Sequence, residues 1–297
     1  MTSLTQVVRK GGRMSFGVTR GVASTWTGTL SLVLVGLVVL AVAFAPLLAP
    51  YDPLAQDIQA RLQGPSAEHW LGTDTLGRDL LSRAIFGARI EMSVAIPAGL
   101  IALVLGLTIG VVAGYVGGRT DRVLVVLMDS MQAFPAVILA LALLSLLGPS
   151  QRNVILVIAV GFTPAYARMA RASVFVVREQ PYIEAERSLA AGNLRILGVH
   201  IVPNVIAPLF ILMAINIPVA VTIASGLSFL GLGVPPPEPS WGVMLADAFA
   251  HVWESPWPLL VPAIALVLTT LGFTLLGESL RDHLDPRLSG VRGVTNG

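Results

Sequence analysis

Six stretches of mostly apolar residues recur along the chain, roughly at 29–49, 92–117, 123–147, 153–177, 205–232 and 256–278. A helix needs about 20 such residues to cross the hydrocarbon core of a bilayer. The pattern therefore predicts an all-α membrane protein with six transmembrane helices. Composition agrees: charged residues are 12% of the chain and mean hydropathy is +0.79, where a soluble domain carries about 25% charge. The first run resembles a secretory leader, with "AFA" at 43–45 as a cleavage site. Its apolar core is too long for that, and Pro46 would follow the cut, so it is expected to be a retained span.

Basic residues orient the spans, because arginine and lysine near span ends favour the cytoplasmic side. With the N-terminus inside, that side collects Arg9, Lys10, Arg13, Arg20, Arg119, Arg122, Arg168, Arg171, Arg178, Arg187, Arg195, Arg281, Arg287 and Arg292. The outer side keeps Arg61, Arg78, Arg83, Arg89 and Arg152. Both termini are thus expected in the cytoplasm. The chain divides into a cytoplasmic N-terminal segment (1–28), a first span (29–49), an extracytoplasmic loop (50–91), a core of five spans (92–278) and a cytoplasmic tail (279–297).

Several chemistries are excluded. Without cysteine there is no disulfide framework and no thiolate metal site. The only lysine, Lys10, has no glycine before it, so no G-x-x-x-x-G-K-[ST] phosphate loop exists. HExxH and G-x-S-x-G are absent and the four histidines are scattered, which argues against an intramembrane enzyme. An ion-coupled secondary transporter is disfavoured too, since Asp129 is nearly alone as a mid-span acid and the halves show no inverted repeat. His69, Asp74 and Asp79 in the outer loop match no ligand spacing, and no metal site is expected there. No nucleic-acid partner is expected; the surroundings are membrane lipid.

The stretch "PYIEAERSLAAGNLRILGVHIVPN", Pro181 to Asn204, stands apart within the cytoplasmic segment 178–204. Pro181 suits a first helical turn, Glu184 and Glu186 lie near the positive end of the helix dipole, and Gly192-Asn193 reads as a break. A second short helix should follow and end near Pro203. The residues fit two readings: a protein-docking knob with Leu189, Ala190 and Ala191 at its tip, or an amphipathic connector lying on lipid headgroups. A basic surface anchor would carry more cation and an aromatic underside.

This stretch resembles the EAA loop of ABC-importer permeases, in the variant of the dipeptide/oligopeptide (and nickel) family. "HWLGTDTLGRDLLSRAIFGARI" (69–90), "DSMQAFP" (129–135), "LSFLGLGVPPPEPSWGVMLADA" (227–248) and "LRDHLDPRL" (280–288) are similar to motifs of its second, C-type permease subunit. The resemblance implies a type I ABC-importer permease fold with a cytoplasmic EAA coupling loop. It also implies a heterodimer with a homologous second permease, two ATPase subunits carrying ATP and Mg, and an extracytoplasmic substrate-binding lipoprotein. This chain itself would be non-catalytic and bind no cofactor, in a bacterial cytoplasmic (inner) membrane. The substrate implied is a di- or oligopeptide, with nickel or another small solute as the alternative.

The coupling residues implied are Glu184, Ala185, Glu186, Arg187, Leu189, Ala190, Ala191 and Gly192. Two of these depart from the family pattern: Glu186 stands for alanine and Ala190 for glycine. Glu186 is expected to pair with an arginine of the ATPase. A third departure, Ala224 in place of a glutamate, removes any role attached to that acid. Within the spans, Gly106, Gly110, Gly114 and Gly118 form a small-residue ladder for helix packing, inside this subunit or against the partner. Asp129 and Arg171 lie at similar depth, roughly 10 Å from the inner ends of their spans, with Arg168 on the same face as Arg171. They are expected to form a structural Asp129–Arg171 pair, with a substrate contact as the lesser reading.

Overall fold

The computed structural model describes residues 25–284. Arg9, Lys10, Arg13, Arg20, Arg287 and Arg292, expected on the cytoplasmic side, lie outside them. Among the described residues the regular structure is helical apart from one bridge, Thr73 to Asp79. Helix α1 (Trp26–Leu48) starts where the Thr25 side chain accepts from Gly28 N at 3.1 Å. It kinks at Phe44, two residues before Pro46, as an internal proline demands. A compact loop follows, turning at Gly72 and Gly77, both with positive φ.

Helix α2 (Leu80–Val116) begins twelve residues before the span expected at 92. Asp79 caps it, accepting from Ser82 N at 2.8 Å and Ser82 Oγ at 2.7 Å; such a cap stabilises a helix start by about 1 kcal/mol. The stretch "LLSRAIFGARI", placed in the outer loop by its charges, is helix, with Arg83 buried 3.3 Å from Asp74 and Arg89 left exposed. At 37 residues the helix is about 55 Å long, well beyond the roughly 30 Å bilayer core.

The third apolar run is not one helix. It is α3 (Gly118–Gln132) and α4 (Ala136–Leu147), bent by 84°. Pro135 explains the break, because proline disfavours helical geometry at the residue before it, here Phe134. Helix α5 (Gln151–Arg178) is continuous, capped by the Ser150 side chain. A short helix α6 (Pro181–Ser188) and a four-residue turn lead into α7 (Asn193–Phe229). The expected stop near Pro203 does not occur. Residues Ile196–Ile201 are wound as a π-helix, and this wider turn makes room for a ring that would otherwise clash with the preceding turn. Helix α8 (Trp241–Phe249) and the apolar helix α9 (Trp257–Leu284) follow and end the described residues.

Helices α2 and α5 form the centre. They run in the same direction, with Gly106, Gly110 and Gly114 of α2 against Tyr166, Ala170 and Val174 of α5; a Cβ at any of the three would overlap that neighbour. The ladder is therefore intramolecular, a small-residue face that brings two backbones together. Gly118 is not its fourth rung. It lies beyond the end of α2, at φ +60 with open space around it, so it serves the turn rather than the packing. Two apolar cores result. One joins α2, α5, α7 and α8 around Met92, Ile158, Val221 and Trp241. The other joins the ends of α2, α5 and α7 nearest the connecting stretch to that stretch through Ile183, Ile196 and Ile201.

Candidate coupling site

The stretch between α5 and α7 forms a knob with a buried base and an exposed tip. Ile183, Ile196 and Ile201 are each 0% exposed and pack with Tyr166, Ala170 and Val174. Full burial of such side chains contributes about 1.5–3 kcal/mol each. The register of α6 follows from its sequence: Pro181 opens it, and Ile183 is the residue that turns inward. Glu184, Ala185 and Arg187 are left exposed.

Helix α6 ends in a Schellman motif. Ala191 N donates to Glu186 O at 3.0 Å and Ala190 N to Arg187 O at 2.9 Å, with Ala190 at φ +56. A left-handed residue after a helix is usually glycine, which gives the Ala190 departure a physical meaning. The break therefore centres on Leu189–Ala190, and Gly192 is in extended geometry with nothing near it. Leu189 and Leu194 are 81% and 87% exposed. Ala190 is exposed beside them, whereas Ala191 turns back onto the second core. The tip is thus Leu189, Ala190 and Leu194.

Polar contacts hold the knob in shape. The Glu186 carboxylate lies 3.4 Å from Arg195 Nε and 3.3 Å from His200 Nε2, and the His200 ring packs beside Tyr182 at 5.8 Å. Glu186 therefore already has an arginine partner, Arg195, within its own chain. From α2, Tyr115 Oη donates to Asn193 Oδ1 at 2.9 Å and pins the start of α7.

The expected Asp129–Arg171 pair is not formed. Arg171 instead makes a two-pronged contact with Asp121, Nε to Oδ1 at 2.5 Å and Nη2 to Oδ2 at 2.7 Å. Asp129 has Arg168 at 3.9 Å, both about half exposed. The reason is the broken span. Helix α3 starts at Gly118 rather than near 123, so Asp121 occupies its first turn beside α5, and Asp129 stands two turns further along. Tyr115, Asp121, Phe175, Arg178 and His200 were not singled out in the sequence. Asp121 was discoverable there only by noticing that the glycine pair 117–118 ends one helix and starts another.

At the other end, the residues considered for a metal have different employment. Asp74 accepts from Arg78 Nε at 2.6 Å and from the backbone of Leu76 and Arg78, with Arg83 Nε at 3.3 Å. Asp79 caps α2 and meets His69 Nδ1 at 3.0 Å. Arg78 reaches Asp247 of α8 at 3.4 Å, and Trp241 Nε1 donates to Ala84 O at 3.0 Å. The outer loop and α8 are clasped to the top of α2.

Known proteins are similar to this chain in sequence and fold. Residues 106–290 match the binding-protein-dependent transport system inner membrane component family. Residues 26–65 match the N-terminal TM domain of oligopeptide transport permease C. The dipeptide transport system permease protein DppC of Alkalihalophilus pseudofirmus is 39% identical over 87% of this chain and 85% of its own length. The nickel transport system permease protein NikC of Escherichia coli K12 is also 39% identical, over 90% of this chain and 96% of its own. The glutathione transport system permease protein GsiD of Pectobacterium atrosepticum is 40% identical over 85% and 84%. Among solved structures, inward-facing MetNI, a methionine ABC transporter, superposes with TM-score 0.55 at 18% identity, covering 69% of this chain and 97% of that one. An amino acid ABC transporter superposes with TM-score 0.53 at 16% identity, over 69% and 95%. These two likenesses concern the fold alone. The chain belongs to the binding-protein-dependent transport system inner membrane component family: it is a permease subunit of an ABC importer.

Proposed function

We propose that this chain forms half of the translocation path of an importer for di- or oligopeptides and that its 181–204 knob docks into a separate ATPase subunit. The observation that supports docking is the contrast between the knob's sealed base and its apolar tip, where Leu189 and Leu194 are 81% and 87% exposed. A knob transmits movement only if it is stiff where it is held and sticky where it touches, and this one is both. ATP and Mg reside on two ATPase partners, and the chain itself hydrolyses nothing. Both termini are cytoplasmic, and an extracytoplasmic binding protein delivers substrate to the outer face.

The partner permease meets the α3–α4 face. Val123, Val126, Leu127, Phe134, Val137 and Ile138 are exposed there, interspersed with Arg122, Asp129 and Gln132. Charged groups at membrane depth face protein or water rather than lipid, which supports a path-lining and partner-facing role. Relatives named for dipeptide and for nickel are equally similar at 39%, so substrate class rests on transport, with nickel or another small solute as the second reading.

The deciding experiment is Ala190→Arg in the complete complex. Ala190 is exposed, so the arginine is harmless to this chain alone. In a docked interface, overpacking costs about 1–3 kcal/mol and a buried unpaired charge costs more. The expected result is normal insertion with poor ATPase co-purification or hydrolysis without uptake; normal co-purification together with normal uptake refutes docking. Uptake of labelled di- to pentapeptides against nickel ion assigns the substrate. Because the chain has no cysteine, single cysteines at 189 and 57 report sidedness directly.

A further inference from the structure

The cytoplasmic end of α5 grips two helices at once. Arg178 Nη1 donates to Gly114 O, in the last turn of α2, at 2.8 Å. One to two turns earlier on α5, Arg171 holds both oxygens of Asp121, in the first turn of α3. The Phe175 ring lies between the two arginines, with their guanidinium carbons 4.6 and 4.5 Å from its centroid. Such stacking fixes a planar guanidinium and orients its fork. Between the gripped turns lies Gly117-Gly118, at φ +69 and +60; a Cβ at Gly117 would meet Arg178 Nη1 at 4.0 Å, and one at Gly118 would meet open space. This backbone is suited to a hinge because glycine takes those angles without steric cost.

The same helix carries the knob. Only Glu179 and Gln180 separate α5 from α6, and both are hydrogen-bonded into turns: Gln180 N donates to Val177 O at 3.1 Å and Ile183 N to Gln180 O at 2.9 Å. Ile183 is sealed into one core with Val174, so α5 and the knob move together. Helix α3, by contrast, is mostly exposed along its length, with Met128 buried. Among the described residues its ion pairs to α5 are Asp121–Arg171 and the looser, half-exposed Asp129–Arg168 at 3.9 Å. Exposed pairs of the second kind contribute little.

We propose that Asp121, Arg171, Phe175 and Arg178 form a transmission joint through which displacement of the knob swings α3, and with it the broken span, about the Gly117–Gly118 hinge. These are positioning residues; the inference rests on the docking reading above and adds where the motion goes. The joint is discrete rather than compliant, since a two-pronged contact is either made or broken.

The test uses the complete importer in proteoliposomes with its binding protein, reading ATP hydrolysed per molecule taken up. The uptake probes are labelled dialanine and nickel ion, scored for whichever the wild type imports. Asp121→Asn and Arg171→Gln are expected to keep ATPase co-purification and hydrolysis within about twofold, with uptake down at least about tenfold. The swap of Asp121→Arg with Arg171→Asp is expected to recover uptake to within about threefold of wild type. A purely structural pair would lower hydrolysis and uptake together and leave their ratio unchanged, which overturns the proposal. If the single variants do not assemble, Phe175→Leu decides, since it loosens both arginines without stranding a charge. An unchanged ratio there overturns the proposal, and a rise of about threefold supports it. Failure of docking itself shows separately, as normal ATPase retention and uptake in Ala190→Arg.

Discussion

The two ends of this molecule are held by opposite means. At the end formed by the 50–79 loop and α8, charged side chains are buried: Asp74, Arg78 and Arg83 are 5%, 6% and 1% exposed, and they tie the loop and α8 to α2. At the 181–204 end, apolar side chains form the base, and the charges lie part-exposed around it. Buried ion pairs add little net stability over an apolar core, yet they punish any broken partner. They therefore specify one arrangement. An apolar base with an exposed tip specifies the attachment and leaves the outward face free. The loop end is organised to keep its shape, and the knob end keeps an apolar tip exposed.

The contrast breaks most easily at Asp74. Asp74→Ala strands Arg78 and Arg83 in a buried setting, and loss of one member of such a network costs about 3–5 kcal/mol. The expected outcome is a large drop in thermal stability of the purified chain, with the knob's hydrogen-exchange protection unchanged. A loss below about 1 kcal/mol would mean the outer clasp is solvated and the two ends are alike.

Ile183→Ala attacks the other end. Removing most of a fully buried isoleucine costs about 2–5 kcal/mol. Here the damage should be local, because Ile183 sits at the edge of the second core and Trp241 and its neighbours form the first. Amides across 181–204 should exchange faster by orders of magnitude while the upper halves of α2 and α7 hold. Uniform loss of protection across the spans would show that the cores are one cooperative unit.

Much of this division was readable in the residues, and the failures have physical causes. Hydropathy locates spans because lipid contact is a property of each segment alone, so α1, α5 and α9 fall close to their expected bounds. The knob was readable from Pro181 and the sudden charge. The start of α2 was not, because the charges in 80–91 look like loop until Asp74 is placed beside the buried Arg83. The break at Phe134-Pro135 was present in the sequence, but the apolar runs on either side hid it. Pairing of Arg171 could not be read at all: Asp121 and Asp129 differ by two helical turns, and the choice between them depends on where α3 begins.

Asp129 accordingly becomes a weak test of a pair once expected to matter. Asp129→Asn removes a contact of 3.9 Å between groups that are 57% and 48% exposed, and such pairs contribute about 0–1 kcal/mol. The expected stability change is within about 0.5 kcal/mol, measured by thermal unfolding against Asp121→Asn, which should cost more. Equal losses for the two would mean that α3 is fixed along its whole length rather than gripped at its first turn.

The smallest effect sharpens the comparison, because each end has one non-glycine residue in left-handed geometry: Leu62 outside and Ala190 inside, both at φ +56. That geometry costs an L-residue about 1–2 kcal/mol, while a new glycine loses about 0.5–1 kcal/mol through added freedom of the unfolded chain. Leu62 is partly buried in the clasp, and its N–H donates to Asp74 O at 3.0 Å; Leu62→Gly therefore also loses apolar contact and should be neutral or destabilising. Ala190 is exposed and has little side-chain contact to lose. Ala190→Gly should thus stabilise the end of α6 by about 0.5 kcal/mol, slowing exchange of the Ala190 and Ala191 amides about twofold, since RT is about 0.59 kcal/mol. Both amides are hydrogen-bonded in the Schellman turn, to Arg187 O and Glu186 O, so they report on this turn directly. A gain at Leu62 with none at Ala190 would invert the assignment of rigid and free ends; a gain at Ala190 accompanied by undiminished uptake would show that the alanine's strain is not needed for coupling.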